Sequence, residues 1–214
     1  MSRGRASRSR PKSRGSGSRG SGRRPRRWLR WGAIAGLAAL GGAIAVGIAR
    51  VDPLEDTLRE ITLPLRHDDI IRQQSREKGV DADLIAAVIY VESRFRDQTS
   101  EAGARGLMQI TPATADEIER QSGGETFVYE DLANPDLNIR YGAFYLRYLL
   151  DFYGGNEVAA LAAYNAGQTN VAGWGGGSLA VEDIEFEETR SYVNDVLEKR
   201  DEYRRHYAKE LGLD

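Results

Sequence analysis

The chain has 214 residues and a formal net charge of −2, room for one domain of ordinary size with appendages. It has no cysteine, which excludes disulfides, thiolate metal sites and a lipid-modified cysteine anchor. The small net charge hides an asymmetry: residues 1–50 carry 13 Lys and Arg and no acid, leaving 17 basic and all 32 acidic residues to residues 51–214. Two parts with such different balances have different surroundings.

Residues 1–30 are Arg, Ser, Gly and Pro with almost nothing apolar. Such a segment cannot bury enough surface to fold, which predicts a basic disordered tail. Next, Trp31–Ala49 reads WGAIAGLAALGGAIAVGIA, 19 residues without a charge. A spanning helix needs roughly 20 apolar residues, and Trp28 and Trp31 sit where interfacial aromatics usually sit. A basic block before one transmembrane helix places the N-terminus in the cytoplasm and residues 50–214 outside. The same stretch also reads as a cleaved signal peptide, with Gly47-Ile48-Ala49 as a small-x-small site; export follows from either reading. An Arg-rich tail also fits nucleic-acid binding. Only Trp28 and Trp31 are there to stack on bases, however, and both border the span, so no nucleic-acid partner is expected. A weak hold on anionic lipid is the more natural role for the tail. Residues 50–66 read as a short juxtamembrane stalk.

From residue 67 to 214 the chain reads as helices, with no run of alternating strands and no internal repeat. Asp81 can cap a helix through Leu84–Glu92. Thr111-Pro112 is an N-cap followed by proline at the first helical position, and Gly123 ends that helix. Asn134-Pro135 repeats the device and opens a longer helix with apolar residues at Leu137, Tyr141, Phe144, Tyr148, Leu149 and Phe152, ending at Gly154. Asn156 starts a short apolar helix closed by Gly167. A polar amphipathic helix runs from about Thr189 towards Leu211. The predicted fold is mainly α, and the domain is large enough for its own core.

The segment LIAAVIYVE at 84–92 is apolar almost all round, as a buried helix is. Residues four apart stack on a helix, so Glu92 extends the stripe of Leu84 and Val88. Apolar surroundings penalise an ionised carboxylate and raise its pKa. An acid still protonated near neutral pH is what glycosidic cleavage needs from its general acid. The bland reading leaves Glu92 at the helix end, exposed or paired with Arg94 or Arg96.

Ser100–Pro112 reads SEAGARGLMQITP, where Gly103 and Gly106 allow tight turns and close approach to a ligand. Gln109 offers a donor and an acceptor to a sugar, and Met108 a soft apolar contact; an ordinary loop before a helix reads the same way. Ala163–Gly167 reads AYNAG: Tyr164 and Asn165 can donate into a cleft, or serve as core and cap. In ETRSYV at 188–193, Glu188 is a second carboxylate facing the cleft or a helix-dipole charge. His67 and His206 are far apart without ligand spacing, so no metal site is expected. The glycines around Trp174 lack the Lys-Ser or Lys-Thr of a phosphate cradle.

Singly these signals are weak, but their order is specific. The chain resembles the lytic transglycosylases typified by the soluble lytic transglycosylase catalytic domain, itself similar to goose-type lysozyme. The resemblance covers roughly residues 63–205 and rests on five ordered motifs. These are ESRF at Glu92–Phe95, the stretch from Ser100 through GLMQITP at 106–112, Asn138-Ile139 with Gly142 and Tyr145-Leu146, AYNAG at 163–167, and ETRSYV at 188–193. It implies a lysozyme-like helical domain with Glu92 as the single catalytic acid and base. It also implies that Ser100, Met108 and Gln109 contact sugar, that Tyr164 positions the scissile unit with Asn165 beside it, and that Glu188 and Tyr192 close the cleft. No cofactor is implied. The family often has a proline shortly before the ETR motif, where this chain has Ile184-Glu185-Phe186-Glu187, and the Gly-rich loop 173–178 holds fewer apolar residues than in many members.

The implied reaction cuts peptidoglycan glycan strands between N-acetylmuramic acid and N-acetylglucosamine and closes a 1,6-anhydro ring. Peptidoglycan lies outside the cytoplasmic membrane, so the single-pass anchor expected from residues 31–49, with the domain on the outer side, fits that reaction. Two alternatives remain at this point. One is a hydrolytic muramidase on the same fold, which needs a placed water and a second carboxylate from Glu188, Asp97 or Glu101. The other is an idle peptidoglycan-binding module, against which intact Glu92, Gln109 and Tyr164 speak.

Overall fold

The computed structural model describes residues 57–123 and 128–213, all within one unit, Leu54–Asp214. The predicted tail 1–30 and apolar segment 31–49 lie outside the described residues. Among the described residues no helix is long and apolar enough to cross a membrane.

After a helical segment at 57–62, the α-helices bounded within the described residues follow in chain order: α1 Asp68–Lys78, α2 Ala82–Ser93, α3 Pro112–Gln121, α4 Pro135–Phe152, α5 Glu157–Ala166, α6 Gln168–Trp174, α7 Glu187–His206 and α8 Ala208–Leu211. Short 3-10 turns lie at Tyr129–Ala133, Gly176–Ser178 and Val181–Asp183. Extended pairing among the described residues is limited to two isolated bridges, Thr99 with Arg105 and Arg105 with Ile110. The mainly α expectation therefore holds.

The helix starts follow their capping chemistry. Thr111 Oγ1 accepts from Thr114 N with Pro112 next, Asn134 Oδ1 accepts from Asp136 N and Leu137 N, and Asn156 Oδ1 accepts from Ala159 N. Each bond satisfies amide donors that a helix start leaves open. Asp81 stands at the N-cap of α2 but makes no capping bond. Its neighbour Asp83 is fully buried, accepting from Leu84 N at 2.8 Å and from Arg204 Nε at 2.6 Å. That pair ties the first turn of α2 to the last turn of α7.

Three boundaries differ from the sequence reading. Helix α3 ends at Gln121 and α4 at Phe152, short of the glycines. The C-terminal helix breaks at Tyr207, whose φ of −133° leaves the helical range, so α8 is separate. Of the predicted stalk 50–66, residues 50–56 lie outside the described residues, and 57–66 are joined to the unit that follows. Residues 57–62 are helical and Leu63 is 4% exposed. Tyr207 donates its hydroxyl to Leu63 O at 2.8 Å, and Tyr203 to Pro64 O at 2.6 Å. Two buried tyrosine hydroxyls thus hold the entering backbone to α7 and its exit.

Helix α2 is the centre. Residues Leu84–Ile89 are all at most 2% exposed, as expected of a helix apolar on every side. It packs chiefly on α7 and also on α1; α4 packs on α1 and α5, and α5 packs on α7 and α6. The pairs close a ring, so the end of α2, the end of α5 and the start of α7 are fixed relative to one another by core packing.

Candidate active site

Glu92 lies in the last turn of α2, partly buried. Its Oε1 accepts from the Tyr192 hydroxyl of α7 at 2.8 Å. Burial raises its pKa to about 7, against the opposing pull of the Tyr192 hydrogen bond, which stabilises the ionised form. The alternative of a pair with Arg94 or Arg96 is not what the structure shows. Both arginines are exposed, and the Arg94 guanidinium lies 5.8 Å from the Tyr90 ring centroid.

Two phenols flank this carboxyl. Tyr192 is held well above the ordinary phenol range by burial and then by the nearby Glu92 charge. Tyr164, from α5, is raised by the same two causes in the same order, with Tyr145 adding to them. Both therefore stay neutral and serve as donors. Tyr164 gives its hydroxyl to Met108 O at 2.8 Å, and its ring centroid lies 5.7 Å from that of Tyr145.

The backbone just after Glu92 turns sharply. Arg94 and Phe95 have φ of 52° and 60°, a left-handed conformation that costs roughly 1–2 kcal/mol per residue without glycine. The Phe95 ring is 3% exposed and lies 6.2 Å from the Tyr203 ring. Burying such a ring is worth roughly 1.5–3 kcal/mol, enough to offset much of that strain.

The loop 98–111 is cross-braced. Ser100 Oγ accepts from Ala104 N at 3.0 Å, so the hydroxyl closes its own loop. Tyr129 donates its hydroxyl to Gly103 O. Gly106 has φ of 76°, and a Cβ there would sit 2.2 Å from Asn138 Nδ2 and 2.4 Å from Leu132 O. Glycine is required on both counts. Asn138 is fully buried. Its Oδ1 accepts from Met108 N at 2.7 Å, while Nδ2 donates to Arg105 O and Leu132 O, each at 2.9 Å.

The side chain of Met108, expected to contact sugar, lies in the core. It is fully buried against Gly142, where a Cβ would lie 2.3 Å from its sulfur. It packs the loop onto α4, and its backbone is held by Tyr164 and Asn138. Gln109 adopts φ of 47°. Its Nε2 donates to Gly106 O at 2.8 Å and Gln98 O at 3.1 Å. Gln98 in turn donates to Glu92 O at 3.2 Å, linking the loop to the carboxyl-bearing turn.

Asn165 is exposed, and its Oδ1 accepts from Thr189 Oγ1 at 2.7 Å. Glu188 is exposed on the first turn of α7, and no hydrogen bond or ion pair of it with Glu92 occurs among the described residues. Glu92, Tyr192, Tyr164 and the Met108 backbone are thus brought together. Gln109 is joined through Gln98, Asn165 is tied to α7, and Ser100 serves its own loop. No group of three His, Asp or Glu residues that could hold a metal ion occurs among the described residues.

Sequence reading missed Asn138, Thr189 and Gln98 as positioning groups. Asn138 carried a signal, being a polar residue on the buried stripe it shares with Tyr141, Tyr145 and Leu149. Thr189 and Gln98 carried none that local pattern could reveal.

A carboxyl near pKa 7 between neutral phenols can donate a proton and take one back at the same pH. A single group suited to both transfers is the main chemical property of the arrangement.

Residues 69–186 match the family model described as Transglycosylase SLT domain. The soluble lytic murein transglycosylase of Salmonella typhimurium is 36% identical over 163 residues, covering 72% of this chain and 25% of that protein. The membrane-bound lytic murein transglycosylase C of Glaesserella parasuis is 33% identical over 131 residues, covering 52% of this chain and 36% of its own length. The X-ray structure of an inactive glutamate-to-glutamine mutant of lytic transglycosylase Slt from Pseudomonas aeruginosa superposes with a TM-score of 0.63 at 35% identity. That match covers 69% of this chain and 25% of Slt. The chain spans about a quarter of the length of the soluble relatives it matches.

Proposed function

This chain belongs to the transglycosylase SLT domain family, and we propose that it is a peptidoglycan lytic transglycosylase in which Glu92 is the only catalytic acid and base. The observation that carries the reading is the Glu92 carboxyl, raised by burial to about 7 and oriented by Tyr192 at 2.8 Å.

Protonated Glu92 donates to the oxygen leaving C1 of N-acetylmuramic acid, and the glycosidic bond breaks. The acetamido group of that sugar stabilises the cationic C1. The ionised Glu92 then takes the proton of the sugar's own 6-hydroxyl as that oxygen bonds to C1. The products are a free 4-hydroxyl on N-acetylglucosamine and a 1,6-anhydromuramic end, and Glu92 is protonated again. An attacker within the same molecule needs no bound water and gains from proximity. Tyr164 and Tyr192 position the scissile unit, Gln109 and Asn165 meet the sugar's polar groups, and Glu188 lies at the edge of the cleft. A hydrolytic route of the usual two-carboxylate kind would need a second carboxylate across a water-sized gap from Glu92, whereas attack by the sugar's own 6-hydroxyl needs none.

The Pseudomonas aeruginosa Slt mutant with glutamine in place of one glutamate is inactive, which supports the role given to Glu92. The membrane-bound relative and the uncharged stretch 31–49 support a single-pass anchor, with the domain on the wall side of the cytoplasmic membrane.

Purified peptidoglycan incubated with the Glu92→Gln chain tests the reading. Soluble muropeptide release falls at least ~100-fold while circular dichroism stays unchanged. Substantial residual release would remove Glu92 from its role.

A further inference from the structure

On the far side of the end of α2 from Glu92 lies an open cavity of about 720 Å³ whose cationic wall is Arg66, Arg94, Arg96 and Lys199. Tyr90 lines it, and residues two apart on a helix face nearly opposite ways. None of Gln109, Tyr164 or Tyr192 contributes to it. It is therefore distinct from the proposed cleft.

The wall is unusual for this unit. Residues 51–214 carry 32 acidic against 17 basic residues, yet Arg66, Arg94 and Arg96 are exposed with no carboxylate partner among the described residues, where Glu60 is the one acid lining the space. Lys199 is paired with Glu202 at 2.8 Å. The Tyr90 ring lies under Lys199 at 5.3 Å and Arg94 at 5.8 Å. Its hydroxyl is fixed by Thr62 O at 2.9 Å, which joins this wall to residues 57–62.

That segment presents large apolar side chains to solvent. Ile61, which lines the cavity, is 72% exposed and Leu58 is 53% exposed. Being three apart on one helical turn, they share a face. Exposed aliphatic side chains beside unpaired arginines match the boundary of an anionic bilayer, where acyl chains meet phosphates. A soluble anion or a peptide carboxylate would use the arginines and leave Leu58 and Ile61 unexplained.

We propose that this face docks on an anionic phospholipid surface. Leu58 and Ile61 enter the headgroup boundary, and Arg66, Arg94 and Arg96 pair with headgroup phosphates. The acidic remainder of the unit is repelled by such a surface, so the contact selects one orientation. The inference rests on this face alone and not on the anchor reading of residues 31–49.

The test is amide hydrogen exchange of the full chain with phosphatidylcholine bilayers and with bilayers enriched in phosphatidylglycerol. Exchange over residues 57–66 slows severalfold only with phosphatidylglycerol. The slowing disappears at high salt, in Arg66→Gln/Arg94→Gln/Arg96→Gln, and in Ile61→Ser, each checked for fold by circular dichroism. Retention of the chain on the bilayer at high salt reports residues 31–49 separately, and the contrast between lipids is read whether or not they insert. Equal slowing on both lipids would mean that other residues of the chain cover the face. Slowing by inorganic phosphate alone would make it a small-anion site. Either result, or no slowing, overturns the proposal.

Discussion

Tyr192 and Glu92, 100 positions apart in the chain, meet in a 2.8 Å hydrogen bond whose donor is the phenol. The bond stabilises ionised Glu92 while burial destabilises it, and burial is the larger influence. Removing the hydroxyl in Tyr192→Phe therefore raises the pKa of Glu92 further above about 7. The pH–rate profile checks this: the limb that reports the acid moves to higher pH, and the maximal rate falls because the carboxyl loses its orientation. An unmoved limb would show that the hydroxyl does not bear on the proton.

Glu92 also carries a stability signature. Its carboxyl titrates near 7 in the folded chain and at 4.5 in the reference state, so the folded state holds the proton more tightly. The contribution to stability is full below 4.5 and is lost as pH rises through about 7. Glu92→Gln is consequently more stable than the parent at pH 8, by up to ~3 kcal/mol, and the two converge in acid. Urea titrations at two pH values read the difference.

Asn138 satisfies three backbone groups from a fully buried position. Asn138→Ala leaves Met108 N, Arg105 O and Leu132 O without it, and unsatisfied buried groups cost about 1–3 kcal/mol each. A loss of roughly 2–5 kcal/mol is expected in urea unfolding, with a fall in strand cleavage because the Met108 carbonyl no longer holds Tyr164. Asn138→Asp keeps the shape and the bond from Met108 N, but the oxygen in place of Nδ2 faces Arg105 O and Leu132 O, so it fares no better.

The packing of Met108 on Gly142 gives a further expectation. A Cβ at 142 would meet the buried sulfur at 2.3 Å, so Gly142→Ala costs roughly 1–3 kcal/mol by overpacking. Combining it with Met108→Ala makes room and recovers part of the loss. Simple additivity in that double-mutant cycle would contradict the contact.

Much of this molecule was legible in its residues. Thr111-Pro112, Asn134-Pro135 and Asn156 announce helix starts through chemistry confined to three or four positions, and each cap bond is present. Glu92 was legible because a carboxylate at the end of an all-apolar helix is costly. What local pattern does not carry is partnership over distance. The Thr189–Asn165 and Tyr203–Pro64 bonds join residues 24 and 139 apart, and the second is why part of the expected stalk belongs to the packed unit. The packing of Met108 is of the same kind: a glycine one helix away makes a socket for its side chain, and nothing near position 108 indicates that socket.

The most direct test of the central claim is mass spectrometry of the muropeptides that the full chain releases from purified peptidoglycan. Products carrying 1,6-anhydromuramic ends, lighter by one water than hydrolytic ones, are the predicted result. Reducing muramic ends would contradict it, leaving a muramidase that uses Glu92 with a placed water.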